Sequence, residues 1–322
     1  MNPKLYPFQF TPILKDKIWG GKKLKTLFNK AITSDTTGES WELSGVPGDI
    51  SIVANGDLQG SSLTELIELH PDEILGTSVY KRFGTQFPLL FKFLDAREVL
   101  SIQVHPNDEL AKKRHNSFGK TEMWYIMQAD KNAQIIVGFK ENSNQEEYLE
   151  KLESNSLVSI MNEIEVQEGD VFFLETGTVH AIGAGTVIAE IQQTSDITYR
   201  LYDFDRKDSE GNKRELHIDL ALDAINYQKQ ETQKIYFKEE NQSNVIVDCP
   251  YFTTNFIPVS GKFEVNKTGE SFTVYMCVEG SFEINCNGIE YNYKKGDTVL
   301  VPAQLQNYFL SGNASILEIY IS

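Results

Sequence analysis

Apolar and polar residues alternate with a period of two along much of the chain, which predicts β-strands rather than long helices. From residue 88 onward the alternating segments are bounded by Gly, Asp, Asn and Pro, the residues that favour turns. The predicted strands cover residues 88–96, 98–106, 120–127, 133–139, 169–174, 186–192 and 197–202. Residues 246–322 contain further strand-like segments separated by turns. The pattern therefore predicts an all-β fold class with a few short helices.

Helical periodicity is confined to short segments between the predicted strands. The predicted helices cover residues 61–74, 107–114, 146–152 and 214–227. We expect Ser61 or Ser62 to cap the first of these helices, and Asn107 or Asp108 to cap the second. The first 60 residues are expected to be mostly irregular, with a short helical pattern at 22–28 and a strand at 39–45.

Two segments, residues 168–180 and residues 295–307, share a pattern in which a Gly-Asp turn is followed by a strand. This repeat predicts two jelly-roll β-barrels, in domains that cover residues 1–230 and 231–322. His180 lines up with Asn307, and an alignment of Tyr125 with Tyr275 places Glu122 opposite Phe272. The second barrel is therefore expected to lack metal ligands and to serve as a structural or dimerising unit.

The composition limits the classes of function. The formal net charge of −16 argues against general nucleic-acid binding, so an anionic small substrate would need a local cluster of Lys and Arg. Three cysteines without a CxxC motif argue against a disulfide framework and indicate a reducing compartment. No apolar run is long enough to span a membrane. These features favour a cytoplasmic protein, either a monomer or a homodimer.

Four polar side chains could form a divalent-metal site if the fold brings them together. Gln103 and His105 are two residues apart, so both can point to one face of a strand. Glu122 lies on the next predicted strand, and His180 follows the Gly-Asp turn of the first repeat. Two imidazoles, a carboxylate and an amide oxygen suit a borderline cation such as Zn²⁺. The other histidines lie in polar or helix-end contexts and are not expected to bind metal.

Several segments together resemble one enzyme family. These are IWGGKKL (18–24), GESWELSG (38–45), SIQVHP (101–106), GKTEMWY (119–125), GTVHAIGAG (177–185) and EIQQTSDITYRLYDFDR (190–206). Their order is similar to that in the shorter bacterial form of the type I mannose-6-phosphate isomerases. The resemblance is strong over about residues 10–210 and looser beyond them.

The resemblance implies a double cupin fold, one Zn²⁺ per chain and interconversion of mannose 6-phosphate and fructose 6-phosphate. It places the metal ligands at Gln103, His105, Glu122 and His180, and catalytic residues at Lys120 and Arg200. One position departs from longer members, which carry a histidine immediately before the lysine where this chain has a glycine, Gly119.

Aldose–ketose isomerisation through an enediol needs a proton-transfer group and a cation that stabilises the developing oxyanion. Lys120 is a candidate for the first role and Arg200 for the second. Glu190, Gln192, Asp196 and Arg200 share even parity, so an unbroken strand would direct all four into the cavity. Glu190 or Asp196 is then an alternative base. The other interpretation is that Asp196 caps a turn and Glu190 pairs with Arg200.

Other polar residues are expected to contact the substrate, a small sugar phosphate. Ser101, Glu190 and Asp196 are predicted substrate-binding residues, and Ser101, Lys92 and Arg206 are candidates for the phosphate. Arg206 could equally be a solvated loop charge. A sugar-sensing cupin or an iron-dependent cupin oxygenase would fit the same fold. Lys120 and Arg200 favour an enzyme over a sensor, and the shortage of imidazoles disfavours an oxygenase.

Overall fold

A computed structural model describes residues 4–207 and 210–322 of the chain. In this described part the chain forms mostly β-strands, with seven short α-helices and one 3₁₀ turn. The first strands are β1 (Ile13–Gly21), β2 (Thr37–Ser44), β3 (Leu89–Ala96), β4 (Ile102–Val104), β5 (Glu122–Ala129), β6 (Gln134–Phe139), β7 (Met161–Glu165), β8 (Val171–Leu174), β9 (His180–Ile182), β10 (Thr186–Gln193), β11 (Tyr199–Tyr202) and β12 (Gln233–Lys234). The C-terminal strands are β13 (Asn244–Asp248), β14 (Thr253–Asn266), β15 (Thr273–Cys286), β16 (Ile289–Lys294), β17 (Thr298–Val301) and β18 (Asn307–Tyr320).

The helices are short and lie between the strands. They are α1 (Lys23–Phe28), α2 (Leu63–Leu69), α3 (Pro71–Leu75), α4 (Thr77–Phe83), α5 (Asp108–His115), α6 (Gln145–Glu153) and α7 (Ile218–Leu222). Among the described residues, no helix is both long enough and apolar enough to cross a membrane. The all-β fold class with a few short helices is thus confirmed.

The N-terminal part of the fold is a jelly roll made of two facing sheets. One has seven strands in the order β1-β2-β3-β10-β5-β8-β12, and the other has five in the order β11-β4-β9-β6-β7. Apolar side chains from both sheets, including Trp124 and Ile188 from the first and Val137 and Ile182 from the second, form one core between them. The space between the sheets is therefore where opposing side chains can meet.

The C-terminal part is a second jelly roll built on the order β13-β14-β18-β15-β16, with β17 paired to β15. A continuous apolar core joins the two jelly rolls: Phe91 and Met123 of the seven-stranded sheet belong to the same cluster as Val274 and Leu317 of the second. This packing explains why β3 and β10 have no exposed residue, since one face covers the first jelly roll and the other covers the second.

Two helix predictions hold with altered ends. The helix predicted over 61–74 is two helices, because Pro71 begins a new helix directly after His70 ends the first. Ser62 caps α2 by accepting a hydrogen bond from the Glu65 backbone, as predicted for one of the two serines. Asn107 caps α5 in the same way, through Leu110 N at 2.9 Å.

The amphipathic helix predicted over 214–227 is wrong for most of its length, because only Ile218–Leu222 is helical. The preceding residues run alongside β11 instead. His217 N donates to Arg200 O at 2.7 Å, and Arg200 N donates to His217 Nδ1 at 3.0 Å. One backbone–backbone hydrogen bond and one hydrogen bond to the His217 imidazole thus take the place of the first helical turns.

In the N-terminal region the helix predicted at 22–28 and the strand predicted at 39–45 are α1 and β2, whereas β1 was not predicted. β1 and β2 form the edge of the seven-stranded sheet, and every residue of β2 is buried. The strands predicted over 186–192 and 197–202 are β10 and β11, and the unbroken strand considered for Glu190 to Arg200 does not form, because β10 ends at Gln193 and β11 begins at Tyr199. The Gln192 side chain donates to the Ser195 carbonyl at 2.6 Å and holds the connecting turn.

The internal repeat is visible in the hydrogen bonds of the two Gly-Asp turns. Gly169 N donates to Ile126 O and Gly296 N donates to Cys277 O, both at 2.9 Å. In register, Glu122 is opposite Leu174 in the first jelly roll, and Thr273 is opposite Val301 in the second. The position equivalent to Glu122 is therefore Thr273, one residue later than the Phe272 expected from the tyrosine alignment.

Candidate metal centre and active-site cavity

Three of the predicted metal ligands lie close together between the two sheets. Glu122 begins β5 in the seven-stranded sheet, whereas His180 begins β9 and His105 directly follows β4 in the five-stranded sheet. His105 Nε2 lies 3.6 Å from Glu122 Oε2, and His180 Nε2 lies 3.4 Å from Glu122 Oε1. All three residues are buried, and one ligand atom from each lies within 4.8 Å of the others. The group has the size of a metal site.

Backbone carbonyls orient both imidazoles toward this point. His105 Nδ1 lies 2.8 Å from Ile197 O, and His180 Nδ1 lies 2.8 Å from Thr178 O. Because a carbonyl only accepts hydrogen bonds, each Nδ1 carries the proton and each Nε2 keeps its lone pair. Glu122 Oε1 is buried and has no hydrogen-bond partner among the described residues. Two imidazole lone pairs and an unpaired carboxylate oxygen that lie close together fit a divalent cation.

Gln103, the fourth predicted ligand, lies beside this group. It is opposite His180 in the β4–β9 pair, and its Nε2 lies 3.2 Å from His180 Nε2. A half-turn of the amide would direct the side-chain oxygen to the same point. This position is compatible with ligation.

Burial and nearby charges set the protonation of the group. Burial lowers the pKa of His180 to about 4 and, together with the ammonium of Lys120, brings the pKa of His105 well below its usual value. Burial also raises the pKa of Glu122 to about 7, although Lys120 opposes that shift. Both imidazoles are therefore neutral at physiological pH, the state that binds metal.

Lys120 connects the metal ligands to a second buried carboxylate. Its Nζ donates to Glu122 Oε2 at 2.5 Å, lies 3.1 Å from His105 Nε2 and lies 3.9 Å from Glu190 Oε1. Glu190 also accepts from Lys92 and from Trp124 Nε1, both at 3.1 Å. Burial alone would raise the pKa of Glu190, but Lys120 and Lys92 lower it to about 2. The predicted alternative in which Glu190 pairs with Arg200 is therefore wrong, since its cationic partner is Lys92.

Gly119 lies where no larger residue fits the present backbone. A Cβ placed there would be 2.8 Å from Asp108 N and 2.9 Å from Asn107 C. Gly119 N also donates to Asp108 Oδ1 at 2.8 Å, which ties the end of the α5 excursion to its start. An imidazole at this position would require the 106–108 backbone to move.

A cavity of about 430 Å³ opens beside the metal ligands. The predicted substrate or catalytic residues that line it are Ser101, Lys92, Gln103, Lys120, Glu190, Asp196 and Arg200. Arg206 is not among its lining residues, because its guanidinium pairs with Asp203 and donates to Val99 O. The Gln192 side chain does not line the cavity either, because it donates to the Ser195 carbonyl in the turn between β10 and β11.

The cavity also contains residues that sequence spacing did not identify. These are Lys15, Lys17, Trp19, Glu39, Trp41, Asp49 and Arg214 among others. The alternation of Lys15, Lys17 and Trp19 was a usable signal, but the segment was assigned to an irregular region. Six cationic side chains face four anionic ones in the lining, so the cavity is basic in an acidic protein.

Arg200 lies at the metal end of this cavity, opposite Gln103 in the β4–β11 pair. Its Nη1 donates to Glu215 O at 2.8 Å, whereas its Nε is buried without a hydrogen-bond partner among the described residues. Burial and then the charge of Arg214 lower the pKa of Arg200. The guanidinium is therefore held in place with hydrogen-bonding capacity left over.

Comparison with known proteins shows the family of this chain. Residues 8–132 match the profile described as Phosphomannose isomerase type I, catalytic domain, and residues 242–321 match that of Mannose-6-phosphate isomerase, cupin domain. The chain is 37% identical to a mannose-6-phosphate isomerase of Streptococcus mutans over 94% of both chains. The chain belongs to the type I phosphomannose isomerase family.

Other members of the phosphomannose isomerase family are similar to this chain over nearly its full length. The mannose-6-phosphate isomerase ManA of Bacillus subtilis is 38% identical over 97% of this chain and 98% of its own. A crystal structure of a mannose 6-phosphate isomerase from Bacillus subtilis superposes with a TM-score of 0.90 at 35% identity and covers 98% of this chain and 100% of that one. The predicted double cupin fold and family membership are confirmed.

Proposed function

We propose that this chain interconverts mannose 6-phosphate and fructose 6-phosphate in the cavity beside His105, Glu122 and His180. The observation that carries the proposal is the unpaired Glu122 Oε1 between two neutral imidazoles, beside a basic cavity. Such a centre suits a small anionic substrate with two adjacent oxygens, as an aldose or ketose phosphate has.

We propose Zn²⁺ as the cation, held by His105, Glu122 and His180, with Gln103 as a fourth ligand. Imidazole and carboxylate ligands in this number suit zinc. When bound, the ion would polarise the substrate carbonyl and hydroxyl oxygens as a Lewis acid.

Lys120 is the group that this site offers for proton transfer. Its Nζ reaches both Glu122 and the cavity, and it lies 3.9 Å from Glu190 Oε1. The low pKa of Glu190 makes this carboxylate a poor base and a lasting hydrogen-bond acceptor. We assign it, with Ser101 and Asp196, to binding the sugar hydroxyls.

Arg200 is assigned to the charge that develops on the substrate oxygen. A guanidinium stays cationic in proteins, so it needs no proton at the moment of reaction. Its unpaired Nε–H provides a donor for that oxygen.

The remaining expectations extend this proposal to the whole chain. We propose that residues 1–230 form the catalytic domain and that residues 231–322 form a cupin domain without metal. We further propose a cytoplasmic enzyme that acts as a monomer or homodimer and does not bind nucleic acid.

A coupled assay for fructose 6-phosphate formed from mannose 6-phosphate tests the function. The expected result is turnover that a tight chelator abolishes. Absence of turnover in metal-loaded protein, or oxygen consumption with bound iron, would overturn the proposal.

A further inference from the structure

The cations of the cavity fall into an inner and an outer group. The inner group comprises Lys120 and Lys92. Lys120 donates a hydrogen bond to Glu122 and Lys92 donates one to Glu190, so both cations pair with buried carboxylates at or near the metal ligands. The outer group comprises Lys15, Lys17 and Arg214. Their carboxylate partners are Asp49, Glu39 and Asp203, rather than Glu122 or Glu190.

Strand order places the outer group away from the metal ligands on both walls. β1, which carries Lys15 and Lys17, is separated from β5 by β2, β3 and β10 in the seven-stranded sheet. Arg214 lies beyond β11, the edge strand of the five-stranded sheet. The same cavity contacts all three residues.

Arg214 is oriented with part of its guanidinium free. Its Nε donates to Asp203 Oδ2 at 2.8 Å and its Nη2 donates to Asp203 Oδ1 at 2.5 Å. Its Nη1 has no hydrogen-bond partner among the described residues. Arg206 also donates to Asp203 Oδ1 at 2.5 Å, so two guanidinium groups share one buried carboxylate. This region keeps an uncompensated positive charge.

Lys15 and Lys17 project from one face of β1 on the opposite wall. Lys15 pairs with Asp49, and Lys17 Nζ lies 3.2 Å from Glu39 Oε1. Their side chains remain 30% and 35% exposed. Each ammonium has three donors, so each can bind a further oxygen without leaving its carboxylate.

We propose that Arg214, with Lys15 and Lys17 opposite it, binds the phosphoryl group of the hexose phosphate. This inference rests on the proposed function, which brings C1 and C2 of the sugar to Lys120 and Arg200. The phosphate is at the other end of the carbon chain and so reaches the outer cations. Asp203 is the positioning residue that holds Arg214 for this contact.

The test compares Arg214→Gln with Arg206→Gln, which removes a guanidinium on the same carboxylate but outside the cavity. Loss of a charge-assisted hydrogen bond should raise the KM for mannose 6-phosphate, and the inhibition constant of inorganic phosphate, by about tenfold to a hundredfold in Arg214→Gln. Bound metal should be retained, and the Arg206→Gln control should keep both constants near those of the unaltered protein.

A variant of the opposite wall, with Lys15→Met and Lys17→Met together, should weaken phosphate inhibition in the same way. Lys25→Met and Lys294→Met together, which alter two exposed lysines outside the cavity, are its charge-matched control. Unchanged KM and phosphate inhibition in folded, metal-loaded Arg214→Gln, or in the double variant, would overturn the inference.

Direct binding of inorganic phosphate, measured by calorimetry, separates this inference from the proposed function. Weaker phosphate binding in Arg214→Gln would support the subsite even if the unaltered protein showed no isomerase activity. Equal binding in an active enzyme would refute the subsite alone.

Discussion

Glu122 presents its two carboxylate oxygens to different partners. Oε2 accepts from Lys120, whereas Oε1 faces His180 Nε2 at 3.4 Å and has no hydrogen bond in the described part of the chain. A buried carboxylate oxygen without a partner is costly, so the arrangement favours a bound cation. Protonation of the same carboxylate is the competing way to remove that cost.

The pH dependence of metal affinity follows from that competition. Because the pKa of Glu122 in the metal-free site is raised to about 7, a proton must leave it before metal binds at lower pH. The apparent affinity should therefore fall about tenfold per pH unit below pH 7 and more steeply below about pH 4, where His180 also protonates. Chelator competition at several pH values measures this slope. An affinity that is constant from about pH 7 to about pH 5 would contradict the assigned ligand.

Ligand and charge-stabilising roles can be separated by two substitutions. His180→Ala removes one Nε2 lone pair and should weaken metal binding by at least about a hundredfold. Arg200→Ala should retain the metal and lower kcat by about a hundredfold to a thousandfold, as expected for loss of an oxyanion-stabilising donor. Metal analysis and steady-state kinetics on both variants check this. Loss of metal in Arg200→Ala would assign Arg200 a structural role.

Individual site residues differ in how far sequence could predict them. Gln103 and His105 are two residues apart on a predicted strand, which places both side chains on the same face. Their role as metal ligands could therefore be predicted without a structure. The partner of Glu190 depends on strand order, which places Lys92 beside it from a segment almost a hundred residues away. Arg214 enters the cavity because Asp203 holds it, and no local pattern encodes that contact.

Among the elements, the fully buried strands β3 and β10 were predicted almost to the residue, whereas β1, which is partly exposed, was not predicted. Residues 214–227 have a helical apolar pattern, but Leu216 and Leu220 remain 40% and 36% exposed. Without a core to cover, the segment pairs with β11 through His217. Tertiary hydrogen bonds thus outweigh helical periodicity here, which a single sequence cannot reveal.

The α5 excursion between His105 and Lys120 depends on the absence of a side chain at residue 119. Gly119→Ala would bring a Cβ within 2.8 Å of Asp108 N, so the loop must shift. Overpacking of this kind should cost about 1–3 kcal/mol of stability and lower kcat/KM, because Lys120 moves with the loop. Thermal unfolding and kinetics measure both effects.

Ser117→Ala, a nearby change that adds no atoms, is the control for this substitution. Gly119→His should also lower activity, since no space exists for the imidazole found in longer family members. A gain in rate for Gly119→His would show that the loop accommodates it.

At the scale of the whole molecule, the second jelly roll retains the first one's framework with different interior chemistry. In the second jelly roll, Glu318 is opposite Tyr275 on one neighbouring strand and opposite Asn255 on the other. In the first jelly roll, Glu190 is opposite Trp124 on one side and opposite Lys92 on the other. The repeat was visible in sequence because Gly-Asp turns are local. The exact register was not, since it depends on strand pairing.

We expect the second jelly roll to tolerate the buried carboxylate of Glu318 only while a cation is paired with it. Lys267 Nζ donates to it at 2.6 Å, and that ammonium helps to lower the pKa of Glu318 although burial would raise it. Lys267→Met should destabilise the protein by about 3 kcal/mol, because it leaves a buried carboxylate without its cation. Metal content should not change. Chemical denaturation of this variant and of Lys294→Met, an exposed lysine in the same jelly roll, provides the comparison.

The central claim is that the His105–Glu122–His180 centre holds the metal that turnover requires. The most direct measurement is a Zn²⁺ titration of metal-stripped protein with mannose 6-phosphate turnover followed at each addition. The account predicts no turnover in stripped protein and a linear recovery that ends at one bound metal per chain, with no recovery in His180→Ala. Full turnover in stripped protein, or equal recovery in His180→Ala, would contradict it.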